Sequence, residues 1–78
     1  MADSLPPILT IAGSDCSAGA GIQADLKAIS ALGGYALTAL TSVVSETPGK
    51  VSLVRLLDPE FIADQVRVLF EAFPIQAA

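Results

Sequence analysis

Between Gly13 and Asp25 the chain gathers residues suited to holding a small ligand. They are Gly13, Gly19 and Gly21, the small Ala18 and Ala20, Ser14 and Ser17, a thiol at Cys16, and carboxylates at Asp15 and Asp25. Glycines let the main chain approach a ligand with no Cβ in the way. A helix beginning just after such a loop brings amide N–H groups that suit a phosphate or an acceptor on a ring. Glu46, at the end of a later apolar run, is a further acid that could meet the same ligand.

Spacing narrows the chemistry. A phosphate-cradling loop of the form G-x-x-x-x-G-K-[ST] needs a glycine five residues after Gly13, where the chain has Ala18, and no Lys-Ser/Thr follows. Gly19 to Ala24 fits the dinucleotide pattern G-x-G-x-x-A, with Glu46 as a candidate ribose-binding acid. That pattern should open directly from a strand, whereas Gly13 to Ser17 intervene and Asp15 brings negative charge toward a pyrophosphate. With one Cys and no His there is no cluster of metal-ligand type and no disulfide framework.

Elements must position these residues. Ile8 to Ala12 reads as a short strand buried on both faces, and Gly13 to Ala20 as a loop. Ile22, Leu26 and Ile29 recur at helical spacing and predict a helix from Gly21 to Leu32, stopped by Gly33 and Gly34. Tyr35 to Val44 reads as a buried strand, Ser45 to Gly49 as a turn, and Val51 to Leu57 as a strand with one wet side. Asp58, Pro59 and Glu60 supply a cap, a first helical proline and a first-turn acid. Ile62, Val66, Leu69 and Phe73 then line one helix face, and Arg67 can pair with Glu71 on the other. Phe61, Phe70 and Phe73 are expected in the core. Pro74 ends the helix, and Ile75 to Ala78 opens another strand. The order β-α-β-β-α-β predicts an α/β fold with a largely parallel sheet.

Composition constrains the setting. Of 78 residues, 53% are hydrophobic and 15% charged, a balance too apolar for a free-standing domain with so much surface for its volume. The expectation is an incomplete domain, or one half of an obligate assembly. The net charge of −4 and the scattered Lys27, Lys50, Arg55 and Arg67 argue against nucleic acid or an anionic membrane surface. No run reaches the roughly 18 apolar residues of a membrane span. The lead-in with Asp3, Pro6 and Pro7 lacks a signal peptide's basic start. A single Cys16 fits a reducing cytoplasm.

Two blocks, Thr10 to Asp15 and Ser17 to Lys27, closely resemble the start of hydroxymethylpyrimidine (phosphate) kinases of the ribokinase-like superfamily. The likeness continues through Ser30 to Gly33, Tyr35, Thr41 to Val44, Val51, Asp58, Pro59 and Phe61, and so spans essentially residues 8–78. It implies a truncated ribokinase-like α/β fold, with residues 1–78 the N-terminal part of a single kinase domain. It also implies ATP-dependent phosphorylation of 4-amino-5-hydroxymethyl-2-methylpyrimidine and its monophosphate in thiamine biosynthesis, with Mg and ATP bound mostly by residues outside this chain.

The resemblance aligns Gly13, Ala20 and Asp25 with residues lining the pyrimidine pocket, and Glu46 with a position where relatives often carry Gln. An ionised Glu accepts only, so the exchange bears on which ring is preferred and makes a pyridoxine-type substrate thinkable. From the residues alone, Asp25 reads first as a solvated first-turn acid favoured by the helix dipole, and only the resemblance turns it toward the pocket; Glu46 reads as a turn carboxylate open to water. No catalytic base is assigned within the chain. Expected partners are the small-molecule pyrimidine and either a second copy in a homo-oligomer or the missing C-terminal part. A non-catalytic binding module and an NAD-binding domain are the alternative readings.

Overall fold

A computed structural model describes residues 5–78; of the lead-in, Asp3 lies outside the described residues and Pro7 opens the first strand. The elements run β1 (Pro7–Asp15), α1 (Gly21–Ala31), β2 (Tyr35–Thr47), β3 (Lys50–Leu56) and α2 (Pro59–Ala72). The sheet order is β1-β2-β3. β1 and β2 pair in parallel from Pro7↔Tyr35 to Asp15↔Val44, and β2 and β3 form an antiparallel hairpin. On the free side of β1, a single parallel bridge joins Ile8 to Ala77. Leu9 N–H donates to the Ala77 carbonyl and Gln76 N–H to that of Pro7, so the expected last strand is present only as this opening contact.

The sheet is therefore mixed. Parallel pairing surrounds β1, where α1 makes the crossover, while a tight turn at Pro48-Gly49 forces β3 back antiparallel. Gly49 takes φ +83°, which that turn requires. Two strand boundaries differ from expectation. β1 continues past Ala12, because a bulge between Ala12 and Ser14 lets Ser14 and Asp15 keep pairing with Val43 and Val44. β2 continues to Thr47, because Ser45, Glu46 and Thr47 pair across the hairpin, leaving only Pro48 and Gly49 to turn.

Both helices end as their sequences dictate. At the end of α1, Gly34 N–H donates to the Ile29 carbonyl and Gly33 N–H to that of Ser30, with Gly33 at φ +88°. This is the left-handed glycine stop expected at Gly33. At the start of α2 the Asp58 carboxylate accepts from Phe61 N–H at 2.9 Å, with Pro59 in the first turn. Arg67 pairs with Glu71 at 3.0 Å and also with Asp64, a triplet exposed to water.

The core lies between the sheet and α2. Leu9, Leu37 and Ala39 are buried, and Tyr35, Val66, Leu69, Phe73 and Ile75 pack on them. Tyr35 and Phe73 stack with ring centroids 6.1 Å apart. Strand alternation sends Ile8 and Thr10 to the opposite face, where α1 lies; there a Cβ on Gly34 would press on Ile29 and Ile8. Phe61 and Phe70 are not core residues; each is 54% exposed, because α2 turns only its Val66–Leu69–Phe73 stripe to the sheet. In α1, Ile22 is buried but Leu26 is exposed.

Candidate functional site

The loop between β1 and α1 does not present free amides to a ligand. Asp15 ends β1 almost fully buried, and its carboxylate fills the loop from within. One oxygen accepts from Ser17 N–H at 2.8 Å and from the Ser17 hydroxyl at 2.7 Å. The other accepts from Gly19 N–H at 3.0 Å and Ala20 N–H at 2.8 Å. The Ser17 hydroxyl, helped by these amides, holds the Asp15 carboxyl below its ordinary range against the opposing pull of burial. Ala20, the residue capping α1, offers no side-chain acceptor of its own. Asp15 instead gathers the amides that lead into α1, the last of them that of the capping residue Ala20 itself.

Other contacts fix the loop at its ends. Ala18 sits in the left-handed region at φ +66°, and Lys27 Nζ, one turn and more along α1, donates to its carbonyl at 2.8 Å. The Gln23 amide spans the end of β1, accepting from Asp15 N–H at 2.9 Å and donating to the Ser14 hydroxyl at 2.7 Å. Gly21 has φ +62°, and a Cβ there would land inside contact distance of the Gly13 carbonyl. A Cβ on Gly13 would in turn meet the Ser42 hydroxyl on β2. Gly21 thus lets the start of α1 pack against the backbone of β1, and Gly13 leaves room for the Ser42 side chain of β2.

Facing the loop is the β2–β3 hairpin. Cys16 ties the two together: its thiol donates to the Glu46 carbonyl at 3.2 Å, and Glu46 N–H donates to Sγ at 3.3 Å. Between them opens a cleft of about 420 Å³, lined on the loop side by Asp15, Ser17, Gly19 and Ala20 and on the hairpin side by Glu46, Thr47 and Lys50 among others. It sits beyond the carboxyl ends of the parallel strands β1 and β2, where open α/β sheets place their ligands.

Of the four sequence-derived site residues, Ala20 and Glu46 meet across this cleft. Gly13 and Asp25 do not line it. Gly13 lies behind, against Ser42 and Gly21. Asp25 is half-buried beyond the first turn of α1 and accepts from the Thr10 hydroxyl at 2.5 Å, so it is not a freely solvated first-turn acid. Sequence reasoning missed Asp15 as the organiser of the loop, and Gln23 and Cys16 as its ties. The signal available was an acid immediately before a run of small residues with no capping side chain at the helix start.

Solved structures share this fold. Phosphomethylpyrimidine kinase from Clostridium difficile 630 is 44% identical with a TM-score of 0.88, over 92% of this chain and 31% of that one. Pyridoxal kinase from Staphylococcus aureus, in complex with pyridoxal, is 39% identical with a TM-score of 0.78, over 95% of this chain and 29% of that one. The fold is that of a ribokinase-like α/β kinase.

Within that class the phosphomethylpyrimidine kinase family model matches residues 15–78, and the chain belongs to that family. The hydroxymethylpyrimidine/phosphomethylpyrimidine kinase of Escherichia coli is 48% identical over 62 residues, which are 80% of this chain and 23% of the relative. A chloroplastic thiamine biosynthetic bifunctional enzyme of Arabidopsis thaliana is 46% identical over 69 residues, 88% of this chain and 13% of the relative. The chain thus spans less than a quarter of the length of these two relatives.

Proposed function

We propose that this chain forms the ring-binding wall of a kinase that phosphorylates the primary alcohol of 4-amino-5-hydroxymethyl-2-methylpyrimidine, and then its monophosphate, for thiamine biosynthesis. The observation that carries the reading is the cleft at the carboxyl ends of β1 and β2, with Ala20 and Glu46 on opposite walls. Its volume suits a single small ring, being near the lower end of ordinary ligand sites, roughly 300–1,000 Å³. Family membership supplies the reaction class. Ala20 offers a wall without bulk, and the Glu46 carboxylate can accept from an exocyclic amino group. Asp25 lies outside the cleft lining and holds the Thr10 hydroxyl; its place as a substrate-binding residue is proposed from the family resemblance alone, and Gly13 keeps the strand end flat behind the site.

ATP is proposed as the phosphoryl donor; related S. aureus pyridoxal kinase structures contain AMP-PCP or ADP. The residues here do not fit Mg·ATP. The Ser17, Gly19 and Ala20 amides already hold Asp15, and among the described residues no three Asp, Glu, Cys or His side chains converge on a cation. The same occupancy disfavours a dinucleotide pyrophosphate at Gly19–Ala24. This chain's contribution is to bind and orient the acceptor ring.

Residues 1–78 are read as the N-terminal part of one kinase domain, with the remaining domain or a second copy covering apolar residues such as Leu53 and Leu56, 65% and 81% exposed. Among the described residues no helix is long and apolar enough to cross a membrane. A reducing compartment such as the cytoplasm is proposed from the unpaired thiol of Cys16.

The S. aureus pyridoxal complex favours one second reading, a pyridoxal-type ring. The two are separated by assaying the natural polypeptide that carries this segment with ATP and either ring alcohol. A kcat/KM at least about tenfold higher for the pyrimidine, some 1.4 kcal/mol of discrimination, is expected. A preference for pyridoxal, or no transfer to either, overturns the proposal.

A further inference from the structure

We infer that Asp15 is a positioning residue for the ring site: by filling the 16–20 loop with its own carboxylate, it fixes the Ala20 wall of the cleft and denies the loop amides to phosphate groups. The inference rests on the ring-binding reading above but concerns a residue that reading does not use.

Three observations carry it. Asp15 is 4% exposed, yet it belongs to the cleft lining, so it lies at the base of the site and not on its rim. Both of its oxygens are used, and every donor comes from the loop that forms one wall: Ser17 twice, Gly19 and Ala20. Third, the strand end holding Asp15 is itself fixed, since the Gln23 amide accepts from Asp15 N–H and β1 pairs with β2 at Val44. The carboxylate is thus a rigid post around which a strained loop, with Ala18 in the left-handed region, is wound.

The consequence is selective. A loop wound on a carboxylate presents Cβ and carbonyl groups to the cleft, which suit a ring. A loop whose amides were free would present an anion nest and attract the phosphate of a nucleotide. The carboxylate also adds negative charge where such a phosphate would sit, which reinforces the exclusion. Asp15 therefore acts through the main chain of Ala20 without touching the ring.

The test uses the natural polypeptide with three variants. Asp15→Asn keeps shape but turns an amide NH₂ toward N–H donors. It should raise KM for the ring alcohol about tenfold, the usual worth of a charge-assisted hydrogen bond, with kcat changed less than about threefold. Ser17→Ala removes one bond and should raise KM by a smaller factor. Asp15→Ala vacates the nest, and added formate should lower its raised KM in a concentration-dependent way while leaving the unsubstituted protein unchanged. A role confined to stability would instead lower the melting temperature without splitting KM from kcat and without a formate response. Unchanged KM in Asp15→Asn and Ser17→Ala overturns the inference, and these two carry the test should Asp15→Ala fail to fold.

Absence of turnover in the unsubstituted protein would overturn the functional reading instead. Amide exchange at Ser17, Gly19 and Ala20 then still decides about Asp15. Faster exchange in Asp15→Asn supports the post, and unchanged exchange removes it.

Discussion

Gln65 replaces a strand where the sheet runs out. β3 pairs with β2 only from Ser42 onward, which would leave the outer edge of Leu40 without a partner. The Gln65 amide of α2 closes that gap. Its oxygen accepts from Leu40 N–H at 2.8 Å and its nitrogen donates to the Leu40 carbonyl at 2.8 Å. Replacing Gln65 by Leu keeps the bulk and removes both bonds at a half-buried position. Two hydrogen bonds at about 1 kcal/mol each give a loss near 2 kcal/mol, rising toward about 4 where the stranded N–H and C=O stay dry. By amide hydrogen exchange in the natural polypeptide, 2 kcal/mol corresponds to roughly 30-fold faster exchange at Leu40, at about 1.4 kcal/mol per decade. Gln65→Glu retains the acceptor for Leu40 N–H but loses the donor to its carbonyl, and should fall between. Leu40 exchange within about threefold of the unsubstituted protein in both variants would show that the helix amide does not substitute for a strand.

Two further outcomes follow from the loop. Gly21→Ala forces a Cβ into the Gly13 carbonyl at a left-handed residue, and should cost at least about 2 kcal/mol, seen as a lowered melting temperature; an unchanged melting temperature would contradict the backbone packing described. Asp15, with its carboxyl held below the ordinary 3.8 by the Ser17 hydroxyl and loop amides, contributes stability that is complete above that value and is lost as pH falls through the lowered one. Glu46 and Lys50 across the cleft and Lys27 on α1 are charged groups around this site. Carbon NMR of the Asp15 carboxyl should show titration only below 3.8, and titration at or above that value would refute the assignment.

Much of the fold was legible because it follows local rules. Asp58-Pro59-Glu60 started α2, Gly33 stopped α1, Pro48-Gly49 made the turn, and Val66, Leu69 and Phe73 formed the inner stripe. Sequence pattern could not show where β1 ends, since Gly13, Ser14 and Asp15 carry no apolar signal and join the strand only through pairing with β2. Phe61 and Phe70 shared helical spacing with Phe73, but spacing does not say which stripe faces the sheet. At the site, the small-residue loop was recognisable, but its occupant was not. Gly, Ala and Ser read alike whether their amides face a ligand or a buried Asp15. Gln23 and Gln65 left no pattern at all, because a side chain bonding to main chain has no period.

The stacked close approaches at Gly21, Gly13 and Ser42 also set the order in which substitutions can accumulate. What blocks a side chain at position 13 is the hydroxyl of Ser42, so Ser42→Ala arriving first would make Gly13→Ala tolerable. What blocks one at position 21 is the main-chain carbonyl of residue 13, which every amino acid carries. No change of side chain at position 13 can remove that obstacle. Position 13 is therefore contingent on its genetic background, and position 21 stays closed whichever residue occupies 13.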